Sequence, residues 1–260
     1  MPELPDLHVF SRNLHRRLAG RPVQSVAVWH TRRRNFTNEK IAQALQGCAL
    51  QEVRREGKEV HFHFGNGRRL AAHLMLAGQF DLTPDPHAIK FARVGLEFDG
   101  KEWLVVSDPR GWATFTLDPR PETAPDALAA ECDVEYLSRS LHRCEGVLLK
   151  GFLVEQNILR GIGNAYADEI LWASRIAPQS LCDRLPKEKV ADLHGAIRAV
   201  LMDAIAQIER LAPEAINGEI RDFLKVHNPE RIHCPAGHPI HCAMVAMKKT
   251  YYCDEQEIYL

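Results

Sequence analysis

The sequence Gly161-Ile162-Gly163-Asn164-Ala165-Tyr166-Ala167-Asp168-Glu169-Ile170-Leu171 carries the strongest internal pattern in the chain. Its two glycines permit a tight turn, and Asn164 is a natural N-cap for a helix with acidic residues in its first turn. Free N–H groups at such a helix terminus form an anion site that suits a nucleic-acid phosphate. A turn between two helices without any bound ligand explains the same residues. This segment alone does not distinguish the two interpretations.

The N-terminal sequence Met1-Pro2-Glu3-Leu4-Pro5-Asp6 places a proline directly after the initiator methionine. Removal of Met1 would expose Pro2 as a secondary amine, whose attack on a carbonyl carbon gives a cationic iminium. An α-amino group titrates near about 7.7–8.0, so a fair fraction of it is unprotonated at neutral pH. Glu3 could move protons around that amine. A frayed and chemically idle terminus is the alternative.

Composition describes an ordinary globular protein. The 260 residues are 45% hydrophobic and 26% charged, with a net charge of −1, so bulk charge gives no sign of nucleic-acid binding. Residues 1–60, however, hold eleven lysines and arginines against six acidic residues, which suits a local phosphate-binding face or a solvated surface. Seven cysteines without an export signal or an apolar run of membrane-spanning length predict reduced thiols in the cytoplasm.

Periodicity divides the chain into a β-rich half, a helical half and a short β appendix. A helix is expected over Leu7–Leu18, and short alternating segments joined by tight turns then indicate an antiparallel sandwich or flattened barrel. Those strands are expected at Val23–Trp29, Leu50–Arg54, Glu59–Phe64, Arg69–Leu74, Arg93–Phe98, Trp103–Ser107 and Ala113–Leu117. After a Pro- and Ala-rich linker, helices are expected at Val134–Ser140, Gly146–Glu155, Ala165–Ser174, Lys187–Ala212 and Glu219–Leu224, before a hairpin within Ile232–Tyr259.

Three further segments of the first half carry candidate DNA contacts. Lys58 follows a glycine at the entrance to a strand, where solvated surface is the commoner explanation. Arg110-Gly111-Trp112 pairs a cation with an aromatic ring, which suits stacking on bases, or a turn with a packed tryptophan. His73–Gly78 puts bulky apolar residues, Leu76 among them, at a strand end, where they pack in a core or act as a wedge between bases.

The C-terminal segment scatters potential zinc ligands without the usual spacing. Zinc ribbons carry two C-x-x-C knuckles, but the position three after Cys234 is Gly237, and the position three after Cys253 is Gln256. A site with Cys234, His238, Cys253 and a fourth ligand is one reading. A finger that folds without metal, so that the protein needs no cofactor, is the other.

Together these motifs resemble the formamidopyrimidine-DNA glycosylase/endonuclease VIII family. The Pro2-Glu3-Leu4-Pro5 start resembles its N-terminus and Gly161–Leu171 its helix–two-turns–helix core, and the resemblance spans essentially the whole chain. It implies an α+β protein with an N-terminal antiparallel β-sandwich and a C-terminal helical domain that bears a β-hairpin finger. The expected divisions are a catalytic domain at 1–120, a linker at 121–132, a helical DNA-binding domain at 133–226 and the finger at 227–260.

The resemblance also implies a mechanism: a bifunctional glycosylase and AP lyase of base excision repair. Pro2 attacks C1′ of the damaged nucleotide, Glu3 moves protons at the sugar, and Lys58 assists β,δ-elimination beside the lesion. Leu76, Arg110 and Trp112 fill the space that the extruded base vacates. The remaining predicted contacts, all to DNA phosphates or the finger site, are Lys150, Asn164 and the finger cation Lys248.

Departures from the family pattern bear on specificity. Asp6 stands where a glutamate is usual, the loop residues around Leu76 and Trp112 are altered, and Phe91 takes the place of a usual histidine. Only nine residues separate Leu224 from Cys234, which leaves little room for the loop with which 8-oxoguanine-specific members cover their base. Oxidised pyrimidines are therefore the expected substrates, with excision of 8-oxoguanine and formamidopyrimidines as the alternative.

A different class of function stays open at the level of sequence. The altered loops and the eroded finger also suit a catalytically inactive protein that binds damaged DNA, and a retained Met1 would block the nucleophile. The expected partner in either case is damaged double-stranded DNA, with no membrane contact. The expected form is a monomer in the bacterial cytoplasm or nucleoid.

Overall fold

A computed structural model describes all residues of the chain, 1–260, and the chain forms two compact units. The first contains Met1–Pro121 and Ile208–Glu219, and the second contains Glu122–Gln207 and Ile220–Leu260. Residues 208–219, which the sequence analysis includes in the helical domain, thus belong to the first unit, where the Asn13 amide donates to the Ala215 carbonyl at 2.8 Å. The four predicted domain boundaries stay a prediction.

The first unit is a pair of antiparallel four-stranded sheets around one apolar core. One sheet has the order β1-β6-β7-β5 and the other β2-β3-β4-β8. The strands are β1 Val23–Val28, β2 Leu50–Glu56, β3 Glu59–Phe64, β4 Arg69–His73, β5 Gln79–Thr83, β6 Ala92–Phe98, β7 Glu102–Ser107 and β8 Thr114–Leu117. Two helices, α1 Leu4–Leu18 and α2 Asn38–Leu45, complete the unit.

Alternation along the strands decides which side chains enter the core. In β3, Val60, Phe62 and Phe64 are buried in the core cluster of the first unit, while the intervening residues lie on the opposite face of the sheet. Burying each such large apolar side chain contributes roughly 1.5–3 kcal/mol. The same cluster includes Phe10 and Leu14 of α1, so the helix that follows the N-terminus is anchored to the sandwich.

Strand register brings three loops to one end of the second sheet. β3 pairs with β4 so that Val60 faces Ala72, and β4 pairs with β8 so that His73 faces Thr114. The β2–β3 turn, the turn after β4 and the loop before β8 therefore share that end of the sheet. These are the segments that contain Lys58, Leu76 and Trp112.

The start of α1 lies toward the same end. The N–H of Gly20, just after α1, donates to the carbonyl of Leu50 at the start of β2, and the N–H of Val53 donates to His15 Nδ1 at 3.3 Å. α1 has 15 residues and β2 has 7, which correspond to about 22 Å and about 23 Å. Running antiparallel over equal lengths, they place the N-terminus of α1 near the β2–β3 turn.

The second unit is helical and carries a β-hairpin. Its elements are α3 Val134–His142, α4 Leu149–Val154, α5 Asn164–Ala173, α6 Lys187–Leu211 (which enters the first unit at Ile208), β9 Ile240–Val245 and β10 Lys248–Cys253. The predicted linker is ordered in this unit, because Arg160 exchanges backbone hydrogen bonds with Pro125 and Ala127.

Three local expectations from the sequence are wrong. Residues Gln79–Thr83 form β5, which has only Phe80 and Leu82 as apolar residues and was not expected as a strand. Residues 219–224 are irregular, with one turn at 222–223, instead of helical, and they follow Gly218 at φ +84°. Gly163, not Asn164, is the N-cap of α5, and its first turn contains no acidic residue.

The first turn of α1 has a capping box. Substitutions in it measure how much this contact contributes to the free energy of unfolding. Asp6 Oδ2 accepts from the N–H of Glu3 at 2.8 Å, and Asp6 is 1% exposed. Asp6→Ala should lower the free energy of unfolding by about 1 kcal/mol or somewhat more, because a buried donor loses its acceptor. Asp6→Glu, which restores the usual residue of the family pattern, should cost less. Urea unfolding measures both, and equal losses would contradict the capping role.

Candidate active site

The predicted nucleophile is buried beneath the first residue. The ammonium of Met1 forms an ion pair with the carboxylate of Glu219, and Pro2 is buried behind it. While Met1 is attached, the nitrogen of Pro2 is a tertiary amide without a lone pair for attack. The amine that the sequence predicts therefore exists only after the Met1–Pro2 bond is cut.

Glu3 and Lys58, the other two predicted catalytic residues of the first unit, are both buried charged groups. Glu3 is 3% exposed and caps α1, and Lys58 is 8% exposed in the β2–β3 turn, directly after Gly57 at φ +60°. Charged side chains are rarely buried unless they are paired. Their burial at the same end of the unit is typical of a site whose groups are held for chemistry.

His73 connects Lys58 with the turn that carries Leu76. Burial lowers the pKa of His73, the charge of Lys58 adds to the effect and the charge of Glu59 opposes it. The neutral ring accepts a hydrogen bond from the N–H of Met75 at 2.9 Å through Nδ1. Met75 has a φ of +54°, an uncommon conformation for a side-chain-bearing residue, so the histidine stabilises a strained turn.

Asp108 shapes the loop before β8. It is fully buried, and its carboxylate accepts from the N–H groups of Arg110, Trp112 and Ala113 at 2.9, 2.5 and 2.7 Å. Its own carbonyl accepts from both Nε and Nη2 of Arg93. One carboxylate thus holds the loop so that the residues between its anchors point outward. No role was predicted for Asp108 from the sequence, although the Asp108-Pro109 pair ahead of a short loop could have suggested one.

The residues predicted to fill the space of an extruded base are exposed. Leu76 is 47% and Trp112 is 41% exposed, and the guanidinium of Arg110 lies 5.3 Å from the centre of the Trp112 ring. Phe91 is a further exposed aromatic residue, at 59%, and its carbonyl accepts from the N–H of Asp108. Apolar side chains left in water beside buried charges suit a surface that contacts bases.

In the second unit, Asp168 holds four elements together. Its Oδ1 pairs with Lys150 Nζ at 2.5 Å, and its Oδ2 bonds His227 Nδ1 at 2.6 Å and the N–H of Tyr251 at 3.0 Å. Lys150 also donates to the carbonyl of Asn164 at 2.7 Å and is fully buried. The predicted direct contact of Lys150 with a phosphate stays a prediction, because its ammonium is enclosed in this structure.

Side-chain hydrogen bonds from Gln156 and Asn164 fix the start of α5. Gln156 donates to the carbonyls of Val154 and Ile162 and accepts from the N–H of Gly161, which fixes the turn before the helix. Asn164 is the first helical residue, and its Nδ2 donates to the carbonyl of Lys249 in the hairpin at 2.8 Å. Its buried Oδ1 has no hydrogen-bond partner. The predicted phosphate contact of Asn164 also stays a prediction.

Glu169 fixes the segment that leads to the finger. Its carboxylate accepts from the N–H groups of Lys225, Val226 and His227 at 2.7–2.8 Å, and it is 3% exposed. Burial raises the pKa of Glu169, and the three backbone donors oppose that shift. The chain after Leu224 is therefore pinned to α5 and is not a free loop.

The hairpin presents its predicted cation at the tip. Ala246 and Met247 form the turn with φ values of +48° and +58°, and Lys248 follows them as an exposed residue. Met247 is 90% exposed, so an apolar side chain stands beside the cation. Lys249, the next residue, packs against the hairpin itself, because its ammonium lies 5.3 Å from the centre of the Tyr251 ring.

The finger contains a ligand set that fits a zinc ion. Donor atoms of Cys234, Cys253 and Glu255 lie within 4.8 Å of one another, and both thiols are buried. His238 Nδ1 is 3.8 Å from Cys234 Sγ and 3.6 Å from a carboxylate oxygen of Glu255. Thiolate, imidazole and carboxylate are the ligands that zinc prefers. Glu255 would be the fourth ligand of such a site, and both the zinc site and the prediction of no cofactor stay predictions.

The comparisons with known proteins decide the family. A family model of the formamidopyrimidine-DNA glycosylase N-terminal domain matches residues 1–115, and a model of the H2TH domain of that glycosylase matches residues 123–212. The formamidopyrimidine-DNA glycosylase of Thioalkalivibrio sulfidiphilus is 30% identical to this chain over 268 residues, which are 97% of this chain and 98% of that protein. The chain belongs to the formamidopyrimidine-DNA glycosylase family.

Solved structures agree with this assignment. A Lactococcus lactis formamidopyrimidine-DNA glycosylase bound non-covalently to DNA with an AP site has a TM-score of 0.87 at 25% identity, over 98% of this chain and all of that chain. A complex of the Lactococcus lactis protein with THF-DNA and an inhibitor has a TM-score of 0.88 at 26% identity, with the same coverage. The predicted α+β fold, with its β-sandwich and H2TH domains, is confirmed.

Membership also confirms the predicted class of enzyme. The chain is a DNA glycosylase of base excision repair with AP lyase activity, and DNA is its partner. None of its helices combines the length and apolar character needed to cross a bilayer. The predicted monomeric state stays a prediction, as does the predicted cytoplasmic or nucleoid location.

The Lys150–Asp168 pair gives a stability test of the second unit. Asp168→Ala should lower the free energy of unfolding by about 3–5 kcal/mol, because it leaves a buried ammonium without its counter-charge. Lys150→Met should cost less, since Asp168 keeps two other donors. In a double-mutant cycle, the two losses should add to more than the loss of the double variant. Chemical denaturation measures the cycle, and strictly additive losses would contradict the coupling.

Proposed function

We propose that the chain removes oxidised bases through a Schiff base on Pro2, formed after Met1 has been cleaved. The supporting observation is that the N-terminus of α1, buried Lys58 and the exposed base-contacting loops share one end of the first unit. The amine of Pro2 bonds to C1′ as the N-glycosidic bond breaks, and the departing base takes up a proton. The iminium then withdraws electrons, so the neighbouring C2′ proton becomes acidic.

Glu3 and Lys58 serve the proton transfers and the departing phosphate. Glu3 exchanges protons at the sugar when the ring opens and when C2′ is deprotonated. Lys58 places its ammonium against the phosphate beside the lesion, which stabilises the charge that develops as the C–O bond breaks. Elimination at the 3′ side and then at the 5′ side nicks the strand. Hydrolysis of the remaining iminium returns the free amine.

The exposed loop residues support extrusion of the base. Removal of a base from the stack costs a few kcal/mol, and side chains that take its place offset part of that cost. Leu76, Arg110 and Trp112 have the exposure for this role, and the stacked Arg110–Trp112 pair presents a flat surface to the neighbouring bases.

The second unit supplies phosphate contacts and the finger cation. The N-terminus of α5, with Asn164 as its first residue, offers backbone N–H groups to a phosphate. Lys150 serves that surface by holding the carbonyl of Asn164. Lys248 reaches the DNA from the hairpin tip. A zinc ion bound by Cys234, His238, Cys253 and Glu255 would act structurally and tie the base of the hairpin together.

Oxidised pyrimidines are the proposed substrates. The nine residues between Leu224 and Cys234 are held by Glu169 and by the His227–Asp168 hydrogen bond, so they offer no free loop to fold over a purine. Purine lesions are the second candidate. Related proteins have been crystallised with DNA that contains carbocyclic 8-oxo-G or FAPY-dG, at 26% identity and TM-scores of 0.87 and 0.85.

The Schiff base can be trapped directly. Borohydride should reduce the iminium formed with DNA that contains an abasic site and leave a covalent adduct, and Pro2→Gly, which puts a primary amine in place of the secondary amine, should lower the yield of that adduct. Pro5→Ala, a matched change in the same helical turn, should keep it. Mass spectrometry of the purified chain should show the loss of one methionine, and peptide mapping should place the adduct on Pro2.

Two results would count against this mechanism. An adduct that peptide mapping places on a residue other than the N-terminal one would assign the nucleophile elsewhere. Tight binding of lesion DNA by a chain that keeps Met1 and gives no adduct would favour the binding-only protein that the sequence leaves open.

A lesion panel tests the proposed specificity. Thymine glycol should be excised faster than 8-oxoguanine and formamidopyrimidines, by about tenfold or more in kcat/KM, the scale that pocket contacts supply. All substrates should share one flanking sequence, with each lesion opposite its normal partner base. Faster excision of the purine lesions would replace the proposed substrate class and leave the Schiff base mechanism intact.

A further inference from the structure

Two histidines lie together on the outer face of β3. His61 and His63 are two residues apart on one strand, so their side chains project from the same face, with ring centres 6.4 Å apart. Glu56 approaches them from the end of β2. His61 is 3% exposed, so this face is shielded at that point. None of these three residues has a part in the glycosylase mechanism above.

The hydrogen bonding of His61 leaves an unsatisfied nitrogen toward Glu56. Its Nε2 lies 3.0 Å from a carboxylate oxygen of Glu59, which selects the tautomer that donates from Nε2. The lone pair on Nδ1 then faces a carboxylate oxygen of Glu56 at 3.6 Å, and this buried atom has no hydrogen-bond partner. The repulsion between the lone pair and that oxygen is removed by a positive charge between the two atoms, which either a proton on Nδ1 or a metal ion supplies.

A third donor atom converges on the same point. Nε2 of His63 is also buried without a hydrogen-bond partner. One ring nitrogen of each histidine and a carboxylate oxygen of Glu56 lie within 4.8 Å of one another. Ligands that are each about 2.0–2.1 Å from a tetrahedral ion are about 3.3 Å apart, so binding an ion would draw these three atoms together by up to about 1.5 Å. The Glu59 carboxylate already orients one imidazole, as outer carboxylates do in metal sites.

The surrounding charges permit a cation. Arg54 lies across from His61 in the β2–β3 register, and it forms an ion pair with Glu52 and also interacts with Glu56. The cationic charge of Arg54 is thus shared between two carboxylates, of which Glu56 lies beside the two imidazoles. Two histidines and one carboxylate are a donor set for first-row transition ions with an affinity for imidazole, whereas calcium and magnesium prefer oxygen alone.

We propose that Glu56, His61 and His63 bind one divalent first-row transition ion, of the zinc, cobalt or nickel type. The ion joins the last residue of β2 to the middle of β3 and so clamps the hairpin whose turn carries Lys58. This site is distinct from the finger ligands, which lie in the second unit and include two thiols. It uses no residue of the glycosylase mechanism.

The absorption spectrum of bound Co²⁺ distinguishes the proposed site from the thiol-containing finger site. The full-length protein, stripped with chelator and titrated with Co²⁺, should bind one equivalent that gives ligand-field bands without thiolate-to-metal charge transfer. His63→Gln and Glu56→Gln should each remove that equivalent. His87→Gln, at an exposed histidine of the first unit, should keep it. Any cobalt with thiolate charge transfer belongs to the finger and should be unchanged in all three variants.

Thermal unfolding and equilibrium dialysis with Zn²⁺ complete the test. Zinc should raise the Tm of the wild type and of His87→Gln, and the shift should shrink in His63→Gln and Glu56→Gln, whose circular dichroism should match the wild type. Dialysis should show one fewer zinc bound in those two variants. Equal stoichiometry in His63→Gln and wild type would overturn the proposal, and so would cobalt spectra that contain only the thiolate species.

Discussion

Lys58, Leu76 and Trp112 lie at one end of the first unit because of the backbone pairing between β3 and β4. An antiparallel ladder sends successive turns to alternate ends of a sheet, so its register decides which loops meet. Here the Val60–Ala72 and His73–Thr114 pairs gather the β2–β3 turn, the turn after β4 and the loop before β8. A one-residue slip would reverse the faces of β3, bringing its histidines into the core and its phenylalanines out.

In the second unit, two buried carboxylates fix the positions of the helices and the hairpin. Asp168 and Glu169 are neighbours on α5, yet they reach different partners because successive helical residues point about 100° apart. One holds α4 and the hairpin, and the other holds the segment after α6. An apolar core alone would leave these short elements free to slide, whereas directional hydrogen bonds fix their positions.

The sequence predicted the parts whose signals are local. Alternation and turn residues located most strands of the first unit, and apolar spacing located α3 to α6 within a few residues. β5 was missed because two apolar residues make too short a pattern, and the helix expected at 219–224 did not form because its side chains are used in tertiary contacts. The chemistry of the terminus singled out Pro2 and Glu3, but only a family resemblance assigned them to one site with Lys58, since nothing in their spacing shows that α1 and β2 run side by side. Asp168 acts through partners distant in sequence, so only the fold shows its role.

The ion pair between Met1 and Glu219 has a consequence for the order of events in the life of the chain. A methionine aminopeptidase needs an extended and accessible terminus, but in the folded first unit the Met1–Pro2 bond leads into a buried residue at the start of a helix. Cleavage is therefore favoured while the terminus is emerging from the ribosome, before α1 packs. A chain that keeps Met1 retains the tertiary amide at Pro2 in place of the proposed amine, while its loops and helices are unchanged.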